Sequence, residues 1–242
     1  MEKGTRFANR IALVTGASRG IGRAVAIGLA REGAHVVLLA RTVGGLEEVD
    51  DEIRSFGGTA TLVTLDLRQS EKVDALGPTL YQRWGKLDIL IANAGVLGPL
   101  SPLPHITADA WNEVIDVNLT ANWRLIRSLD PVLRRSEGGR AVFVSSGAAA
   151  ARNAYWGPYS VSKAGLEALV KTYAHEVAST AIKVNLLNPG PVRTTMRARA
   201  FPGENPATLP EPEALVPLFL DLVDGGLAES GRVYDIKAAA SK

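Results

Sequence analysis

Six uninterrupted apolar runs, alternating with helix-length amphipathic stretches, constrain this chain more than any other feature. The runs are Ile11–Thr15, His35–Ala40, Thr61–Leu65, Asp88–Gly95, Ala141–Ser146 and Ile182–Leu187. None shows the polar alternation of a strand with one wet face, so they suit parallel strands buried on both sides. Helical patterns occupy Ile21–Glu32, Gly44–Phe56, Glu71–Trp84, Ala108–Leu133 and Tyr159–Ala178. A strand–helix–strand rhythm with right-handed crossovers gives an α/β fold, a Rossmann-like doubly wound parallel sheet with helices on both faces. A helix near Glu213–Val223 and a short strand, Arg232–Ile236, bring the expected strand number to about seven.

No repeat or low-complexity linker divides residues 1–242, which read as one domain with room for a sizeable core. An apolar share of 46% and a charged share of 21% exclude a disordered or fibrous chain. Residues 188–212 break the rhythm: they are rich in proline, glycine and arginine, and are expected to form a substrate loop or lid. A formal charge of +2 with no basic run argues against a nucleic-acid partner. The absence of cysteine excludes disulfides and thiol catalysis, and His35, His105 and His175 lack metal-ligand spacing, so no metal is expected. No apolar run approaches the roughly 20 residues needed to span a bilayer. MEKGTRFANR carries no apolar segment of a secretory signal. A cytoplasmic protein without a membrane partner is the expectation.

TGASRGIG (Thr15–Gly22) follows the first run and opens the first helix. Gly16, Gly20 and Gly22, with Ser18, Arg19 and Ile21 between them, permit a tight turn and close approach of a phosphate to the backbone. The helix behind them offers free N–H groups and a partial positive charge. The spacing is G-x-x-x-G-x-G, a variant of the dinucleotide fingerprint. At the end of the second run, where an NAD-binding chain places a carboxylate, stands Arg41. A carboxylate would repel a 2′-phosphate, whereas Arg41, helped by Arg19, can pair with it, so NADP(H) is the expected cofactor. Asp66, followed by Leu67, is placed to accept from an adenine amino group. Asn93, Ala94 and Gly95 end the fourth run, where small residues let backbone and cofactor come close.

Tyr159 and Lys163 stand four residues apart on one helical face. A free tyrosine titrates near ~10; a neighbouring ammonium favours the phenolate and draws that value toward neutrality. The pair is a general acid/base device in outline. The bland alternative is a Tyr–Lys contact on an exposed helix face.

TGASRGIG, ANAG (Ala92–Gly95), VNLT (Val117–Thr120), VSS (Val144–Ser146), YSVSK (Tyr159–Lys163) and NPG (Asn188–Gly190) occur in this order. Together they resemble the short-chain dehydrogenase/reductase family, from Arg10 to about Thr195. The resemblance implies Ser146, 13 residues before Tyr159, as the residue that holds the substrate oxygen, in preference to Ser145. It further implies Tyr159 as the proton donor and acceptor, and Lys163 on the nicotinamide ribose hydroxyls. Asn118 would hold a water linking Lys163 to solvent. Pro189 and Gly190 would face the nicotinamide, and Val192 and Thr194 its carboxamide. Two departures stand out. Ala92 replaces the more usual asparagine, and GRVYDIKAAASK ends the chain where many relatives carry a longer glycine-rich tail. A homodimer through Ala108–Leu133 and Tyr159–Ala178 is therefore preferred to a homotetramer.

Three loops should cover the pocket: Val96–His105, Gly147–Gly157 and Pro191–Pro206. Leu97, Trp156, Met196 and Phe201 are its apolar candidates. Arg152, Arg193, Arg197 and Arg199 are the basic ones: either they suit an apolar carbonyl substrate with an acidic tail, or they form a solvated helix face. The expected function is hydride transfer between NADP(H) and a small-molecule carbonyl or alcohol. The second reading is an NADP(H)-binding sensor without turnover, whose signature would be loss of Ser146, Tyr159 or Lys163.

Overall fold

The structure, a computed structural model, describes residues 5–236. Seven strands form one sheet: β1 (Ile11–Thr15), β2 (His35–Ala40), β3 (Thr59–Thr64), β4 (Ile89–Ala92), β5 (Arg140–Val144), β6 (Lys183–Asn188) and β7 (Val233–Asp235). Their order is β3-β2-β1-β4-β5-β6-β7, and every neighbouring pair is parallel. The chain crosses from β3 at one edge to β4 beside β1, so the order reverses between β1 and β4. In an open α/β sheet a ligand crevice lies at that reversal, beyond the carboxyl ends of the strands.

Successive residues of a strand point to opposite faces. Leu13, Val37, Leu90 and Phe143 accordingly pack on one side with α4 (Leu76–Trp84), α6 (Ala121–Leu133) and α8 (Gly157–Glu176). Ala12, Val14, Leu38 and Ile91 pack on the other with α1 (Gly20–Arg31), α2 (Val43–Ser55) and α10 (Val216–Leu222). Both clusters are buried, as the unbroken apolar runs require.

The helices depart from the sequence reading in three places. The expected helix over 71–84 is two, α3 (Ser70–Asp74) and α4, parted at Ala75, because Pro78 has no N–H to give the Asp74 carbonyl, which accepts from the Ser128 hydroxyl at 2.9 Å instead. The expected helix over 108–133 contains a π-helical turn, Asp116–Thr120, between α5 (Ala108–Ile115) and α6. The expected helix over 213–223 opens as a 3₁₀ turn, Pro212–Leu215, before α10. Residues 188–212 are more ordered than a bare loop: they hold α9 (Thr195–Ala200) and a 3₁₀ turn, Pro206–Thr208. The last six residues of the carboxyl-terminal tail, over which a tetramer was doubted, lie outside the described residues.

At the amino edge of the sheet, Asp88 is fully buried. It accepts from the Ile11 amide at 2.9 Å, the Ser136 hydroxyl at 2.6 Å and Arg10 at 3.1 Å, with Lys86 also within 3.0 Å. Burial works to raise its pKa, but the Ser136 and Ile11 hydrogen bonds and Lys86 outweigh it and hold the carboxyl below the ordinary carboxylate range. This cluster ties β1, β4 and the α6–β5 connection together at the end of the sheet away from the crevice.

Candidate active site

The glycine turn lies over the β1/β4 reversal. Gly16 and Gly20 have φ of +66° and +56°, the left-handed region that glycine adopts without penalty. A β-carbon on Gly22 would stand 2.3 Å from the Gly16 carbonyl oxygen, so the turn closes only on glycine. Arg19, the residue before α1, is extended and provides no side-chain cap, and the first turn holds no acid. The amides of that turn therefore face outward without a protein acceptor from their cap, as an anion site requires. The buried Thr15 hydroxyl accepts from the amides of Asn93 and Ala94 at 3.0 Å each, and Asn93 Nδ2 donates to the Thr15 carbonyl at 3.0 Å. Thr15, absent from the sequence-based set, thus fixes the spacing between the two strand ends; its place as first letter of TGASRGIG was the readable signal.

Around this turn the structure gathers the expected cofactor residues. Thr194 faces it: a β-carbon on Gly20 would touch the Thr194 methyl at 3.5 Å. Pro189 and Val192 are buried, and Gly190 has φ +63°. Arg41 and Arg19 are exposed at the β2 side, with Ser18 and Ile21 half-buried between them. Leu67 belongs to the core. Asp66 is already engaged by Arg68, whose Nη2 and Nε approach its carboxylate at 2.6 and 3.1 Å. That guanidinium holds the Asp66 carboxyl below its ordinary range.

Tyr159 and Lys163 face the same crevice from the first turns of α8, where Pro158 sits at a position that needs no N–H. Both are buried, at 8% and 3% exposure. Burial pushes the Tyr159 phenol above its ordinary value, and the neighbouring Ser146 hydroxyl opposes the rise. The expected lowering by Lys163 is not seen in this state. The ammonium turns back to donate to the Val144 carbonyl at 2.7 Å, and burial alone lowers its pKa to about 8. Ser146 follows β5 and lines the cavity, whereas Ser145 is buried and donates to Glu167 at 2.7 Å, which separates the two as the 13-residue spacing had.

Asn118 occupies the π turn. Its amide group clamps the backbone of Val96 from both sides, accepting from the amide at 2.8 Å and donating to the carbonyl at 2.9 Å. The same nitrogen reaches the Ser162 hydroxyl at 3.0 Å, and Ser162 donates to the Tyr159 carbonyl at 2.8 Å. Asn118 thus links the strand-end loop to the helix that bears Tyr159. The extra residue of a π turn is what re-aims this side chain, and such turns recur at functional sites.

A cavity of about 660 Å³ opens beside Ser146. Trp156 stands edge-on to Tyr159, ring centres 5.9 Å apart, and Phe201 lies 5.6 Å from Trp156 on the far side. Of the four expected basic residues, only Arg197 reaches the cavity wall; Arg193 pairs with Glu211 outside it, and Arg152 and Arg199 are exposed elsewhere. Of the apolar candidates, Trp156 and Phe201 line the wall, while Leu97 is buried and Met196 lies off it. Asn188, not singled out from sequence, accepts from the amides of Gly147 and Gly190 at 3.0 and 3.2 Å and donates to Asp235, joining the ends of β5, β6 and β7. Among the described residues no cluster of three or more metal-ligating side chains occurs, and no helix is long and apolar enough to cross a membrane.

A glycine turn at the strand reversal, together with a cavity-lining serine and a buried tyrosine–lysine pair, defines a dinucleotide-dependent oxidoreductase fold. The short chain dehydrogenase family model matches residues 10–205. The chain is 38% identical to the uncharacterized oxidoreductase YciK of Escherichia coli K12 over 231 residues, 94% of this chain and 91% of that protein. A short chain dehydrogenase structure from Pseudomonas syringae superposes with a TM-score of 0.92 at 38% identity, covering 97% of each chain. Another from Escherichia coli, solved in complex with NADPH, gives 0.91 at 37% identity over 96% of this chain and 98% of that one. The chain belongs to the short-chain dehydrogenase/reductase family.

Proposed function

We propose that this protein is an NADP(H)-dependent oxidoreductase that interconverts a small-molecule carbonyl compound and its alcohol. The observation that carries this reading is the set formed by Ser146 on the cavity wall, the buried Tyr159 phenol beside the Ser146 hydroxyl, and the buried Lys163 ammonium 5.8 Å from the Tyr159 ring centre. The residues fit a dinucleotide: the first turn of α1 is uncapped and free of acid, and the buried Lys163 ammonium has only a carbonyl for a partner. The NADPH-bound relative and the two arginines flanking the turn support NADP(H) over NAD(H).

NADP(H), when bound, supplies or accepts the hydride. Arg41 and Arg19 would hold the 2′-phosphate, and the Gly16–Gly22 backbone the pyrophosphate. Pro189, Gly190, Val192 and Thr194 would frame the nicotinamide end. Tyr159 protonates the substrate oxygen on reduction and takes the proton back on oxidation. Ser146 donates a hydrogen bond to the same oxygen as charge develops on it. Lys163 would leave the Val144 carbonyl for the ribose hydroxyls, and its charge would then draw the phenol down. Asn118 acts as a positioning residue through Val96 and Ser162. A homo-oligomer through α5, α6 and α8 belongs to the same reading, supported by Trp123 and Val161, which are exposed on those helices at 43% and 46%. Light scattering tests it.

The decisive experiment is NADPH oxidation against a panel of diketones, quinones, sugars and aryl ketones, with Tyr159→Phe alongside. Turnover that disappears in the variant supports the reading. Tight NADPH binding without turnover of any carbonyl overturns it.

A further inference from the structure

The wall of the cavity carries a charge pattern opposite to the one the arginine-rich segment suggested. Among the described residues Arg197 is the one cation in that wall and Asp235 the one carboxylate. Arg197 is not free to receive a substrate anion. Its Nε and Nη2 donate to the two oxygens of Glu204, each at 2.6 Å, so the planar fork that would grip a carboxylate is already filled. Its remaining face lies over the Phe201 ring, 3.7 Å from the centre. Asp235, held by Asn188, adds a charge that no described cation neutralises. Arg197, Glu204 and Asp235 together leave one net negative charge at the cavity.

The rest of the lining is uncharged: Ser146, Asn153 and Asn188 stand among apolar and aromatic residues. Tyr159, Trp156 and Phe201 form a row of rings, of which Trp156 and Phe201 line the cavity. Beside this row lie Leu103, packed over Gly157, and Tyr155, whose carbonyl accepts from the Ser101 amide. Both side chains are exposed, at 61% and 59%. A flat ring is stabilised by edge and offset contacts with such a row. A carboxylate entering it would lose water and gain no cation while meeting Asp235.

Resting on the reductase reading above, we infer that the site selects neutral, ring-bearing carbonyl compounds and discriminates against those with a carboxylate tail. Glu204 and Asp235 set that choice, Glu204 by occupying Arg197 and Asp235 by direct repulsion.

Methyl 4-acetylbenzoate and 4-acetylbenzoate share a ring and a ketone and differ in the charge of the tail. The measured quantity is the ratio of their kcat/KM values with NADPH, in the parent protein, in Glu204→Gln and in Asp235→Asn. The parent should favour the ester by at least ~10-fold, and each variant should reduce that ratio by about 3–5-fold, the upper range of a changed charge contact at the half-buried Glu204 and the exposed Asp235. Comparing ratios cancels the intrinsic difference in reactivity between the ketones. If Glu204→Gln loosens the lid, Asp235→Asn still reports, because it leaves the Arg197–Glu204 pair intact. A parent that prefers the carboxylate, or a ratio unmoved in both variants, overturns the inference. So does failure of both ketones in an enzyme that oxidises NADPH with a small diketone, which leaves the reductase reading standing. Failure of every carbonyl brings down that reading and the inference with it.

Discussion

The Lys163 ammonium lies 2.7 Å from the Val144 carbonyl and 5.8 Å from the centre of the Tyr159 ring, although both side chains rise from adjacent turns of α8. The acid/base pair is therefore assembled but not engaged in this state. Its two members are held apart in charge as well: burial keeps the phenol protonated and moves the lysine toward neutrality.

On the proposed mechanism, Tyr159→Phe removes the proton donor to the substrate oxygen. Turnover should fall by about 10²–10⁴-fold, the range for general acid catalysis. NADPH affinity, measured by fluorescence titration, should stay close to the parent value, since the ring and its packing on Trp156 remain.

Lys163→Met should raise the melting temperature of the ligand-free protein at pH 7. The native lysine has its pKa lowered from 10.5 to about 8, so between those values the unfolded chain binds the extra proton and stability rises with pH. Below pH 8 the burial cost of the ammonium is fully present. From pH 8 to 10 the parent should recover about 3 kcal/mol, at roughly 1.4 kcal/mol per unit, and approach the variant. Urea midpoints across that range check the sign.

Arg41→Ala should weaken NADPH by about 10–100-fold, the loss of one charge-assisted contact, and leave NADH nearly unchanged. Calorimetric titration of both cofactors decides it. Equal losses would remove Arg41 from the 2′-phosphate.

Asp88→Ala should destabilise by about 3 kcal/mol at pH 7, because it leaves Arg10, the Ile11 amide and Ser136 without their shared acceptor. The native carboxyl is depressed below its unfolded value. Its contribution is thus complete above about pH 4 and is lost as pH falls through the lower folded value. The gap between parent and variant should narrow in acid, with activity per folded molecule unaltered.

The strands, their parallel pairing and the glycine turn were legible because each depends on local pattern: unbroken apolar runs, and glycines at fixed offsets. The break at Ala75 is legible too, since Pro78 three residues on cannot bond back to Asp74. The π turn was not. It is sustained by Asn118 reaching Val96 and Ser162, residues 22 and 44 positions away, and no local signal encodes such partners. The charge of the cavity was misread for the same reason. Three arginines in one stretch, with Arg152 before them, suggested an anion receptor, but Glu204 and Glu211 fold back onto Arg197 and Arg193. Ser146 lines the cavity while Ser145 is turned to Glu167, a difference the 13-residue count to Tyr159 anticipated without any knowledge of which way either side chain faces.

Since β7 runs parallel to its neighbour, its final residues, Asp235 and Ile236, reach the same edge as the crevice and form part of its wall. Phe7 and Arg10 lie at the other edge, beside Asp88. As points of attachment, Ile236 and Phe7 are therefore unequal. A fusion partner or surface linkage placed after Ile236 departs from the substrate's own doorway and will disturb what enters it. One attached ahead of Phe7 leaves that doorway clear, and assays or immobilised formats should be built from that end.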